Sequence, residues 1–219
     1  MATPEPAYGV PMVSVVGEGF CVPYPVELIV KRKTNGLSDT HFEVLDVNGN
    51  LFLQVDGTSL AFQCKRVMRN PAGFPILTLC EKTVHRGESS ELHNLLFSVQ
   101  ESHALQLKSQ LDVFLPSNFN EDISNFKVVG RYSSESFRVY KGETVIAEVL
   151  SFDTLRLHLK VIASVCFSEL IRKKTNPADI TVLESFCKGK ETFKVKVYPR
   201  VDYTFIVALI VIVNENDAI

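Results

Sequence analysis

The chain has 219 residues, 46% of them apolar, and a formal net charge of −2. That length allows one large or two small domains. The near-neutral charge argues against a protein that coats nucleic acid, which needs a strongly basic face.

The first 25 residues hold prolines at 4, 6, 11, 23 and 25 and glycines at 9, 17 and 19. Residues 1–22 therefore read as a mobile arm without a periodic pattern of its own. The start lacks a basic stretch followed by an apolar core, so no signal peptide is expected. Cys21, Cys64, Cys80, Cys166 and Cys187 are scattered and odd in number, which fits free, mostly buried thiols in a reducing compartment.

From Val26 the apolar residues alternate. Val26 to Lys33 reads as a strand, Phe42 to Val47 as the next and Leu51 to Val55 as its partner. Asn48-Gly49 lies between the last two and suits a tight hairpin. Further strands are expected at Leu60 to Val67, Pro75 to Glu81, Leu92 to Gln100, Leu105 to Leu115, Phe126 to Tyr132, Phe137 to Tyr140, Thr144 to Leu150 and Phe193 to Val197. Short alternating strands with turn signals about every ten residues point to an antiparallel sandwich or barrel. Leu155 to Lys174 fits less cleanly, as a strand and short helix or as an amphipathic surface segment.

The closing stretch organises the rest. From Phe205 to Val213 no side chain is polar. A membrane-spanning helix needs roughly 20 apolar residues, and a strand of this length would exceed the usual ~20 Å. A helix would be about 20 Å long, and being apolar on every side it would have to be enclosed. The β-branched Ile206, Val207, Ile210, Val211, Ile212 and Val213 favour a strand. Asp202 at the start and Asn214 at the end favour a helix, because they can cap it. Helix ranks above strand, and a transmembrane anchor comes third. About ten to twelve strands and one such helix make a closed barrel with the helix inside, formed by Asp202, Phe205, Ile206, Leu209, Ile210 and Val213.

Phe42 to Val55, Leu77 to Lys82, Leu105 to Leu115 and Phe193 to Val213 together resemble the plant LURP-one-related family, in the tubby C-terminal-like superfamily with the phospholipid scramblases. The resemblance runs from about residue 20 to the C-terminus. It implies a closed antiparallel barrel of about 12 strands around a buried C-terminal helix. It also implies one domain over 23–214, with a tail at 215–219. Two departures stand out. The family's Trp-containing strand is reduced to Thr83-Val84-His85, and Leu150 to Ile171 is extra. Altered splicing or a mistaken gene model would account for both; if both are real, a strand is missing, the barrel is open and the insertion covers the gap.

Catalytic signatures of the H-E-x-x-H, G-x-S-x-G and P-loop kinds are absent. His85, His93 and His103 lack metal-ligand spacing, and Cys80 suits a packed thiol. Asp46 to Asn50 looks like the start of a calcium loop, but Gly57 stands where the closing Glu belongs. No cofactor or metal is expected. The resemblance implies a non-enzymatic cytoplasmic binding or signalling module, monomeric, peripheral at membranes and linked to plant defence, with protein partners unspecified. A phosphoinositide or other anionic lipid would be its membrane ligand, with Lys31, Lys33, Lys194, Lys196 and Arg200 as contacts; the competing reading, which the residues alone favour, is that they are solvated outer faces that keep the protein soluble. The alternative is a scramblase-like protein anchored by its C-terminal apolar run.

Overall fold

The computed structural model describes residues 11–35, 39–58, 65–89, 91–102, 109–118, 123–131, 136–151 and 192–216. The strands are β1 (Val26–Asn35), β2 (Asp39–Asp46), β3 (Leu51–Thr58), β4 (Lys65–Arg69), β5 (Pro75–Cys80) and β6 (Thr83–Arg86). They continue as β7 (Leu95–Glu101), β8 (Ser109–Phe114), β9 (Phe126–Arg131), β10 (Ser136–Lys141), β11 (Thr144–Ser151) and β12 (Thr192–Val197). A single described α-helix, α1 (Tyr203–Asn216), follows β12.

Each strand pairs antiparallel with its neighbours in sequence, and β12 returns to β1, closing a twelve-stranded barrel. Closure removes exposed strand edges, but a barrel this wide needs filling. The inward side chains follow the alternation of the strands: Leu28 and Val30 on β1, Phe42 and Val44 on β2, Val195 and Val197 on β12, all at most 1% exposed. Phe205 through Ile212 of α1 are likewise no more than 1% exposed. The apolar run is thus an enclosed helix. No helix among the described residues is long and apolar enough to cross a membrane, so the transmembrane reading of this run is set aside. The helix also continues two residues past Asn214, whose Nδ2 donates to the Ile210 carbonyl at 2.7 Å instead of ending it.

Three expectations are corrected. The barrel is not short of a strand: four residues of β6 are enough to pair with both β5 and β7. The strand read from Leu92 begins at Leu95, after a 3-10 turn over Leu92–Asn94. The arm is not patternless through residue 22. Val13 and Val16 are 3% and 1% exposed, and Val13 forms a parallel bridge with Val201. The Leu155 to Lys174 segment, and with it residues 152–171 of the expected insertion from Leu150 to Ile171, lies outside the described residues, as do Leu60 to Cys64 and Leu105 to Lys108.

Two glycines are required by geometry. Gly49 has φ +86 in the β2–β3 turn, a left-handed conformation that glycine adopts without steric cost. A Cβ on Gly130 would lie 2.6 Å from Phe137 Cβ and 2.7 Å from the Ser136 carbonyl oxygen across the β9–β10 pair. Gly130→Ala is therefore expected to cost about 1–3 kcal/mol through overpacking, seen as a lower urea midpoint at unchanged slope.

Candidate functional site

Two regions carry the polar chemistry: the junction where α1 begins, and the outer wall formed by β2, β1, β12 and β11.

At the junction the chain leaves β12, turns at Arg200 with φ +63, and enters the helix. Asp202 is fully buried. Its Oδ1 accepts the Thr204 and Phe205 amides at 3.0 and 3.1 Å, as an N-cap does for the first helical turn. Its Oδ2 accepts the amides of Val15, Val16 and Gly17 at 3.2, 2.7 and 3.1 Å. One carboxylate thus ties residues 15–17 to the helix. Burial pushes its pKa up, against the pull of those same N–H donors. The Tyr203 ring lies beside Phe20 (5.6 Å between centroids, 82°) and Phe52 (5.1 Å), and so closes this end of the barrel.

On the wall, β1 and β12 are neighbours, so Lys31 and Lys33 share an outer face with Lys194 and Lys196. The four are spread along that face rather than gathered: Lys196 stands opposite Glu27 and Lys194 opposite Ile29, while Lys31 and Lys33 lie further along β1. Arg200 stands at the end of the same wall, exposed. The register also interleaves acids. Glu27 faces Lys196 on one side and Glu148 faces it on the other. Lys194 Nζ is 3.2 Å from Glu27 Oε2, Lys33 pairs with Glu43, and Arg138 Nε lies 3.0 Å from Glu148. Lys196 Nζ sits 5.2 Å from the Tyr198 ring centroid. Among the described residues neither Lys31 nor Lys196 has an acid within ion-pair distance. The wall is therefore mildly basic rather than a bare cationic patch. Its acids were absent from the sequence reading because cross-strand register is not a local pattern.

The hydrogen bond from Lys33 holds the Glu43 carboxyl below its usual range, against the push of desolvation. A depressed carboxyl pKa contributes stability above the unfolded value and loses it as pH falls through the folded one. Taking the pH from about 6 to about 3 should therefore cost the native chain more than Glu43→Gln. The difference should be below ~1 kcal/mol for so accessible a pair, read as the gap between urea midpoints at the two pH values.

Arg32 and Arg66 stand in the sequence as basic residues near the ends of expected strands, where an outward, solvated position is the natural reading; the structure corrects it. Both lie on inward ranks near the end of the barrel where α1 finishes, at the register level of Phe42 and Gly57. The Arg66 guanidinium is 5.9 Å from the Phe42 ring centroid. Cations near that pole of a helix are favourably placed.

The other sequence features are structural. Asp46 Oδ1 accepts the Asn48 and Asn50 amides, both at 2.8 Å, so the calcium-like stretch is a turn held by its own carboxylate. His85 is 4% exposed, with Nδ1 3.2 Å from the Glu91 carbonyl. His93 is on the surface beside Glu91. Cys21 and Cys80 are free, and burial pushes both thiols up, away from the reactive thiolate. Among the described residues no three metal-ligating side chains gather. His103, Cys64, Cys166 and Cys187 lie outside the described residues.

A closed antiparallel meander wound about its own C-terminal helix, with a salt-bridged wall, defines a helix-cored barrel protein. The chain belongs to the LURP-one-related family, whose sequence profile matches residues 26–168. It is 43% identical to protein LURP-one-related 14 of Arabidopsis thaliana, over 95% of this chain and 93% of the relative. It is 35% identical to LURP-one-related 15 of the same plant, over 92% and 84%. An Arabidopsis thaliana protein solved by X-ray crystallography superimposes with a TM-score of 0.63 at 28% identity, covering 93% of this chain and 98% of that one.

Proposed function

We propose that this protein is a non-enzymatic, monomeric binding module. It attaches to anionic membrane lipid through the wall of β1 and β12 and serves a signalling role such as plant defence. The observation that carries this reading is the filling of the barrel. Side chains from Phe205 to Ile212 occupy the interior at no more than 1% exposure, which leaves recognition to the outside. There Lys31, Lys33, Lys194, Lys196 and Arg200 form a basic band with Glu27, Glu43 and Glu148 among them. Such a band attracts anionic headgroups weakly and in a salt-dependent way.

Co-sedimentation with vesicles tests the reading. Phosphoinositide-containing vesicles should retain more protein than neutral ones, and Lys31→Ala with Lys196→Ala should reduce the difference by about thirtyfold, at about 1 kcal/mol per cation near the surface. Equal binding to both vesicle types removes it. A scramblase-like anchor would require α1 to leave the barrel and would expose its buried face, so it is the weaker reading.

A further inference from the structure

The barrel end where α1 begins has a rim of connections, and five of them each hold an apolar side chain out in solvent. Tyr24 precedes β1 and is 60% exposed, Val47 in the β2–β3 turn is 61%, Phe74 before β5 is 67%, Leu92 before β7 is 85% and Ile123 before β9 is 79%. Along the outer wall, by contrast, Leu150 is the one large apolar side chain exposed in the middle or far part of a described strand. Connections on one end of a meander barrel are two strands apart, about 10 Å. The five therefore mark an arc along one rim, from β1 round to β9.

What could rest on such an arc is limited by its spacing. A docked helix needs a continuous apolar stripe or groove, and here polar turn residues such as Asn48, Asn50 and Asn70 separate the tips. A rigid protein partner would need a matched pocket for every tip. The headgroup–acyl boundary of a bilayer takes isolated aromatic and aliphatic protrusions with no matched pocket. Charged residues of both signs stand among the tips, with Arg86, Lys141 and Arg200 beside Asp46, Glu91 and Glu143. That balance complements a zwitterionic headgroup layer rather than a polyanion. We propose that this rim seats the protein end-on upon a lipid bilayer, with Tyr24, Val47, Phe74, Leu92 and Ile123 at the boundary of zwitterionic phospholipid. The seat goes beyond the lysine wall, because it needs no anionic lipid.

The chain contains no tryptophan, so an introduced one reports alone. Single variants Phe74→Trp, Ile123→Trp and, on the wall, Leu150→Trp are titrated with phosphatidylcholine vesicles, plain and carrying brominated acyl chains. A blue shift and bromine quenching are expected at positions 74 and 123 and neither at 150, unchanged when salt is raised from about 0.05 to about 0.5 M. The triple variant Phe74→Ser, Leu92→Ser, Ile123→Ser should keep the native melting temperature and lose at least about a hundredfold in partitioning. No response at 74 and 123, an equal response at 150, or a triple variant that still partitions would overturn the proposal. So would a shift at 74 that tracks protein concentration without vesicles, which means a second copy covers the rim. Retention on phosphoinositide vesicles alone, with both rim reporters silent, defeats the rim and leaves the lysine wall standing.

Discussion

Replacing Asp202 by alanine should destabilise the fold by about 3–5 kcal/mol, equivalent to a melting temperature lower by about 6–20 °C in a domain of this size. Five backbone amides lose their acceptor at once, two in the first turn of α1 and three in residues 15–17. Unpaired buried donors are costly, and water reaches this site poorly because Val16 and Asp202 are at most 1% exposed. Asp202→Asn is the sharper variant. It keeps the size but offers one acceptor oxygen, and its amide hydrogens would face other donors. It should be nearly as damaging as alanine. Amide exchange of Val15, Val16 and Gly17 should quicken in both variants. An asparagine protein melting within about 2 °C of the native one would show that the carboxylate is not the tie between arm and helix.

Phe205→Ala should cost about 3–5 kcal/mol, the range for removing a buried aromatic ring. The ring is fully buried, edge-on to Phe97 at 5.1 Å between centroids and tilted against Phe126 at 4.9 Å. Phe97 belongs to β7 and Phe126 to β9, so one side chain fixes the helix against the part of the wall far from β1 and β12. Such ring pairs add about 0.5–1.5 kcal/mol beyond the area they bury. Phe205→Leu keeps most of the volume and should lose less than half as much. Thermal melts of the two variants decide the point, since equal losses would assign the cost to ring geometry rather than to the cavity. Asp202 and Phe205 share the first helical turn, so their effects should not add.

The strands were readable because alternation records which face of a ribbon meets the core: Phe42, Val44, Leu53 and Val55 are buried in the rhythm their sequence shows. The helix was readable through length more than composition. Six β-branched residues favour a strand, and tertiary enclosure overrides them. Thr83 to Arg86 escaped because four residues are too few for a period and the pairing partners lie on either side in β5 and β7. Residues 13–21 escaped because prolines and glycines hide the two valines that matter, and because their partners Val201 and Asp202 lie about 190 positions away. The lysines of the wall were visible as an alternating face. Their acid neighbours were not, since pairing Glu27 with Lys194 requires knowing that the barrel closes between β1 and β12.

Because α1 follows β12 in the chain, the twelve strands leave the ribosome before the segment they enclose. Until that segment arrives, their inward valines and phenylalanines have nothing to surround, and the first strand waits for the last to hydrogen-bond with it. A nascent polypeptide stalled before Tyr203 would thus be a substrate for chaperones rather than a folding intermediate in its own right. The decisive folding event is postponed until Tyr203 to Asn216 have been made.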